Sequence, residues 1–160
     1  MNIEPFLIIF DHDGTLMHTE TRDFYLFPKM KELILDLKNK GFHLSVWTAR
    51  GHASTVNSLK NAGVMEYFDE VYGHDDGLSK PHSMGLMKLT DGFLKKNVLH
   101  IGDSLADVSG ALGFGIQVIY ACWNNPNQVQ NPSDFDNVFV AEKVDDCRGI
   151  IEKKFGISLH

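Results

Sequence analysis

The stretch FLIIFDHDGTLMHTE, Phe6 to Glu20, places two carboxylates, Asp11 and Asp13, one residue apart directly after five apolar residues. A short continuous apolar run reads as a strand buried on both faces, so the carboxylates stand where that strand ends. Side chains alternate along an extended chain. Asp11 and Asp13 are therefore expected to point the same way, and His12 away from them. Two like charges held that close repel, and each raises the other's pKa unless something positive lies between them. A hard cation such as Mg²⁺, which takes oxygen ligands and usually one or two protein carboxylates, meets that need. Gly14 permits the sharp exit from the strand. The competing reading is an Asp-rich turn, since Asp and Gly are both common turn residues.

Other polar groups fall at comparable places. FHLSVWT (Phe42 to Thr48) reads as a second strand and runs into Thr48, Ala49 and Arg50. FDEVYG reads as a short third strand, followed by GHDDGLSKP with Lys80 before Pro81. NVLHI (Asn97 to Ile101) is a fourth strand and leads into GDSLAD, with Asp103 and Asp107. IQVIYA (Ile116 to Ala121) is a fifth, and VFVA a short extra strand. Helices are expected between them. Met30, Leu33, Ile34 and Leu37 form one helical face, between Pro28 and Gly41. HASTVNSLKNAG reads as a helix ended by Gly63, and PHSMGLMKLTDGFL as a helix opened by Pro81. Leu105, Val108 and Leu112 mark another, and Val144, Cys147, Ile151 and Phe155 a last one. CWNNPNQVQNPSDFDN is a polar loop.

This alternation predicts a three-layer α/β/α, Rossmann-like domain over 1–160, with a mainly parallel sheet of five or six strands. In such sheets the ligand crevice lies beyond the carboxyl ends of the strands. The polar groups at four strand ends are then expected to share one rim. No G-x-G-x-x-G follows the first strand and no G-x-x-x-x-G-K-[ST] occurs, which argues against a nucleotide-binding Rossmann protein.

In FLIIFDHDGT, LSVWT, Lys80-Pro81 and GDSLAD, in that order, the chain resembles the haloacid dehalogenase superfamily, and its phosphatase branch in particular. The resemblance covers nearly the whole chain. It implies that Asp11 is the nucleophile, forming an aspartyl-phosphate, and that Asp13 is the general acid and base. Dehalogenase members lack this second Asp. It further implies that Thr48, with nearby backbone N–H groups at Ala49 and Arg50, binds the phosphoryl oxygens. Lys80 neutralises Asp11 and the phosphoryl group. Asp11, the carbonyl of Asp13, and Asp103 hold Mg²⁺, with Asp107 behind them or reaching the metal through water. Arg50 reads either as a ligand for a distal anion or as a solvated loop residue. A phosphotransferase or mutase on the same fold, and a non-catalytic binding module, are the rival readings.

Relatives often carry a cap domain after the first motif or between the second and third. Here Asp11 to Thr48 spans 37 positions and Thr48 to Lys80 spans 32, both already filled by expected elements. A capless member is expected, with LMHTETRDFYLF forming at most a small flap. An open site suits a phosphoprotein substrate, or a phosphorylated small molecule with a neighbouring subunit of a homo-oligomer as lid. Mutases of this pattern need a cap to shield the aspartyl-phosphate from water.

The net charge of −6 argues against a nucleic-acid partner. The apolar runs are too short to span a bilayer and no signal peptide is apparent, so a cytoplasmic protein is expected. Cys122 and Cys147 lack metal-type spacing, and Cys147 sits on an apolar stripe, as a core residue would. His18, His52, His74 and His82 lie in rim loops and read either as exposed residues, the commoner outcome, or as substrate contacts, and Asp75-Asp76 as a charged turn rather than a second metal site. Trp123 reads either as lining the entrance or as covering the core.

Overall fold

The computed structural model describes residues 4–128 and 136–159. In chain order the elements are β1 (Leu7–Phe10), β2 (Met17–His18), β3 (Tyr25–Leu26), α1 (Met30–Asn39), β4 (His43–Trp47), α2 (His52–Asn61), β5 (Glu70–Tyr72), α3 (Met84–Leu89), β6 (Val98–Gly102), α4 (Leu105–Phe114), β7 (Gln117–Ala121), β8 (Val138–Ala141) and α5 (Asp146–Phe155). Six strands form one sheet in the order β5-β4-β1-β6-β7-β8, and every pairing is parallel. β2 and β3 form a separate antiparallel hairpin. This is the three-layer arrangement expected from the alternation of strand and helix patterns.

The period of two along each strand divides the core. Ile8 and Phe10 of β1 pack with Leu44, Val46 and Ile101 against Leu33 and Leu37 of α1, Leu59 of α2 and Ile151 of α5. Leu7 and Ile9 pack with Trp47 and Val98 against Leu86 and Leu89 of α3 and Ala111 of α4. Both faces of the sheet are therefore covered, which is why β1 reads as an unbroken apolar run. Cys147 is fully buried in the first of these layers, as its stripe predicts, and Cys122 in the second.

One expectation is corrected. The helix expected over 81–94 is only the six residues of α3: it starts at Met84, is capped at Thr90, and Gly92 beyond it adopts φ +86°, outside the helical range. LMHTETRDFYLF is the β2–β3 hairpin, and it occupies the whole interval between β1 and α1 apart from short turns. No separate cap domain interrupts the described residues. The loop expected over 122–137 is described only in part, since 129–135 lie outside the described residues. Among the described residues no helix is long and apolar enough to cross a membrane.

Candidate active site

The register of the sheet explains what gathers at its carboxyl edge. β1 pairs with β4 on one side and β6 on the other, with Phe10 opposite both Val46 and Ile101. The residues that follow, Asp11, Thr48 and Asp103, are thereby brought to one edge. Asp11 N–H still donates to Ile101 O at 2.9 Å, so the ladder holds the first carboxylate in place. A pocket of about 560 Å³ opens there, lined by Asp11, Asp13, Thr48, Ala49, Arg50 and Lys80, together with Ser104, the N-cap of α4, and Ala106 in its first turn. Every residue expected to bind or react with phosphate lines it.

Lys80 is the electrostatic centre. Its side chain is 5% exposed, and its ammonium donates to Asp11 Oδ1 at 2.9 Å and to Asp107 Oδ1 at 2.5 Å. It also stands 4.9 Å above the Trp47 ring. Burial opposes the charge on Lys80, but Asp11 and Asp107 outweigh it and raise its pKa. Burial pushes the Asp11 carboxyl up to about 8, against the pull of Lys80 and with the help of the Asp107 and Asp103 charges. Asp103 is also raised, first by burial. Asp107 goes the other way: burial works against its charge, but Lys80 and His100 hold it well below the usual carboxylate range.

Asp11, Asp103 and Asp107 each offer an oxygen, all within 4.8 Å of one another. The oxygens of Asp107 are already engaged. Oδ1 receives Lys80 and His100, while Oδ2 receives Ser104 N–H at 3.1 Å and Ser104 Oγ–H at 2.8 Å. Asp11 and Asp103 are the pair left to face a cation, and two carboxylates with hard oxygen donors suit a divalent ion such as Mg²⁺. Gly14 has φ +78°, and a Cβ there would overlap the Asp103 carboxylate, so the turn and the close approach both require glycine.

Asp13 differs most from expectation. Its carboxylate stands outside the acidic group and is gripped by Arg50, with Nε donating to Oδ1 at 2.8 Å and Nη2 to Oδ2 at 2.6 Å. Thr19 Oγ1–H donates to Oδ2 at 3.0 Å. His12 is fully buried. Rather than pointing clear of the aspartates, it brings Nδ1 to 2.7 Å from Asp13 Oδ1, while Nε2 lies 2.9 Å from Ser58 Oγ of α2. Strand alternation fails because the chain has left the extended state: the N–H groups of Thr15, Leu16 and Met17 all bond to His12 O. Burial disfavours the charge on Asp13, but Arg50 and His12 dominate and hold it well below the usual range. Arg50 lines the pocket but is paired with Asp13 rather than solvated. It bonds Ser54 Oγ at 2.9 Å and lies 4.9 Å from the Phe24 ring of the hairpin loop.

Thr48 is buried, and its Oγ1 accepts Arg50 N–H at 3.0 Å, leaving its own proton to donate. Asp107 contacts Lys80 directly and also closes a capping box with Ser104 at the start of α4. The S-x-x-D spacing in GDSLAD carries that signal. Asp75 and Asp76 form the expected charged turn: Asp75 accepts His52 N–H at 2.8 Å, and Asp76 meets His52 Nδ1 at 2.8 Å. His18, His52, His74 and His82 do not line the pocket. Trp123 donates Nε1–H to Thr15 O at 3.0 Å and packs edge-on to Phe27, so it braces the turn after β1.

The carboxyl edge of this parallel sheet thus gathers a buried carboxylate, an ammonium and an acidic pair around one open pocket. The profile of the haloacid dehalogenase-like hydrolases matches residues 18–121, and the chain belongs to that family. It is 33% identical over 97 residues to a phosphoglycolate phosphatase of Haemophilus influenzae, covering 59% of this chain and 43% of that protein. It is 29% identical over 103 residues to haloacetate dehalogenase H-2 of a Moraxella species, covering 62% and 44%. The chain thus spans somewhat under half the length of these relatives. In fold it is similar to a HAD-superfamily hydrolase from Ehrlichia chaffeensis, with a TM-score of 0.77 at 16% identity over 97% of this chain and all of that one. It is also similar to YfnB of Bacillus subtilis, a structure bound to magnesium, with a TM-score of 0.67 at 23% identity over 79% and 55%.

Proposed function

We propose that the chain is a Mg²⁺-dependent phosphatase that hydrolyses a phosphomonoester of a small molecule through an aspartyl-phosphate. The observation that carries this reading is the buried Asp11–Lys80 pair, opening into a pocket that also holds Asp13 and Thr48. In the first step an Asp11 oxygen bonds to phosphorus as the phosphorus–oxygen bond to the leaving group breaks, and Asp13 gives its proton to the departing alkoxide. In the second step Asp13 takes a proton from water, the water oxygen bonds to phosphorus, and the acyl-phosphate bond breaks to return Asp11 and release phosphate.

Lys80 and the Thr48 hydroxyl meet the charge on the phosphoryl oxygens, which is most of what a protein supplies in this reaction. Asp11, Asp103 and the main-chain carbonyl of Asp13 would hold the ion, which when bound supplies further charge stabilisation at those oxygens. Arg50 and His12 hold Asp13 in the ionised form that serves the second step. Donation in the first step requires the Arg50 grip to loosen as substrate enters. The presence of Asp13 separates this reading from the activity named for the Moraxella relative. The phosphatases among the relatives support a phosphorylated small molecule as substrate, and the open pocket supports a site that works without a cap.

The test is phosphate release from a panel of phosphomonoesters with and without Mg²⁺, beside Asp11→Asn. Metal-dependent release that disappears in the variant is expected. Release that persists in Asp11→Asn, or that ignores a chelator, overturns the mechanism.

A further inference from the structure

Asn124 falls in the polar stretch that follows β7, and the fold brings it to the acidic edge. β7 runs parallel to β6 with Tyr120 opposite Gly102. The residues past each strand, Asp103 on one side and 122–124 on the other, therefore emerge at the same edge of the sheet. Two hydrogen bonds pin the segment 122–124. Cys122 N–H donates to Ala141 O at 2.8 Å, and Trp123 Nε1–H to Thr15 O at 3.0 Å. The Thr15 hydroxyl is in turn 3.5 Å from both Asp11 Oδ2 and Asp103 Oδ1. Asn124 is thereby held against the turn after β1. A Cβ on Gly14 would overlap the Asp103 carboxylate and stand 3.1 Å from Asn124 Nδ2, so amide and carboxylate flank one small space.

The other end of this amide is unpaired. Asn124 Oδ1 is buried and accepts no hydrogen bond among the described residues. A buried amide oxygen without a donor carries its full desolvation cost. The ionised carboxylates of this edge cannot relieve it, since they only accept. A divalent ion can, because Mg²⁺ keeps several of its waters when one or two carboxylates bind it, and each of those waters is a donor. We propose that Asn124 is a further residue of the cation site, its amide oxygen accepting from the hydration shell of the ion that Asp11 and Asp103 hold. This rests on the Mg²⁺-dependent reading above. An amide suits the place better than another carboxylate. Asp11, Asp103 and Asp107 already meet here, and a fourth negative charge would oppose them. An uncharged oxygen grips the hydrated ion without that repulsion. One unpaired atom on an otherwise anchored segment is the kind of local violation found where a site is built for a ligand.

The experiment reads metal affinity rather than turnover. The unsubstituted chain, Asn124→Leu and Asn124→Asp are melted at pH 7.5 in EDTA and across a Mg²⁺ titration, and Kd is taken from the rise in Tm. Leucine keeps the approximate shape of the side chain and removes the oxygen. Asn124→Leu is expected to raise Kd about tenfold or more, the scale on which groups around metal ligands act. In EDTA it is expected to melt no lower than the unsubstituted chain, because the unpaired oxygen is gone. A Kd within about twofold of the unsubstituted chain overturns the proposal. So does a raised Kd that comes with a clearly lower melting point in EDTA, which would mark a loosened segment. Asn124→Asp keeps an oxygen at the place, so its Kd should not rise, and a rise overturns the role given to that oxygen. If Asn124→Leu does not fold, Asn124→Ala carries the same comparison. If the unsubstituted chain shows no rise in Tm with Mg²⁺, the cation reading fails and Asn124 falls with it. An unchanged Kd in Asn124→Leu beside intact Mg²⁺-dependent phosphate release removes only the role of Asn124.

Discussion

Asp11→Asn should change stability in opposite senses to the usual loss of a paired carboxylate, and the size of the effect follows from burial. In the folded chain the Asp11 carboxyl titrates at about 8, against 3.8 when unperturbed. A group raised on folding gives its full stability below the unfolded value and loses it as pH rises through the folded one. Between pH 3.8 and about 8 the folded state therefore retains a proton that the unfolded state has released, and stability falls with pH. The slope is about 1.4 kcal/mol per pH unit, so pH 5 to 8 gives a ceiling of about 4 kcal/mol. Water penetration and relaxation soften such sites, which behave as if the local dielectric were about 20, and we take half, about 2 kcal/mol. Asparagine matches the protonated acid in shape and does not titrate. For a chain of this size, 2 kcal/mol corresponds to about 4–8 °C in Tm. Melting both proteins in EDTA from pH 5 to 8 should show Asp11→Asn gaining about 4–8 °C on the unsubstituted chain across that range. Mg²⁺ should erase the gain at pH 8, because it binds the ionised carboxylates of Asp11 and Asp103. A difference that is flat with pH, or one in which the unsubstituted chain gains as pH rises, refutes the reasoning.

Three further outcomes follow from the same geometry. Gly110→Ala gains about 1 kcal/mol of helix propensity but drives a Cβ to 2.6 Å from Trp47, an overpacking that costs about 1–3 kcal/mol. A net loss of about 1 kcal/mol in urea unfolding is expected, and a stabilised variant would show that Trp47 yields freely. Arg50→Ala removes the guanidinium that holds the Asp13 proton affinity low, so the acid limb of the kcat/KM profile should move to higher pH; an unmoved limb would mean that Asp13 does not set it. Ser104→Ala breaks the N-cap of α4 and removes one donor from Asp107, a loss of about 1–2 kcal/mol readable by thermal melting. A Tm unchanged within error would show the capping box to be dispensable.

The order of strands and helices, the buried character of β1 and the placing of Asp11, Thr48, Lys80 and Asp103 near strand ends were legible in the chain itself. Strand identity is written in local apolar runs, and in a parallel α/β sheet the ends of strands are where ligands bind. The GDSLAD spacing even held the cap that turns Asp107 into the first turn of α4. Three features were decided only by the folded molecule. His12 reaches Asp13 because the turn after β1 closes on its carbonyl, a departure from the extended geometry on which alternation depends. Arg50, 37 positions from Asp13, closes on it because β1 and β4 are neighbours in the sheet. His100 reads as one more residue of a buried strand until the register sets it against Ile9 and the start of α4 brings Asp107 over it. Local pattern fixes what a segment becomes, but charges pair across distances that only packing sets, and the protonation of this site is written in those pairs.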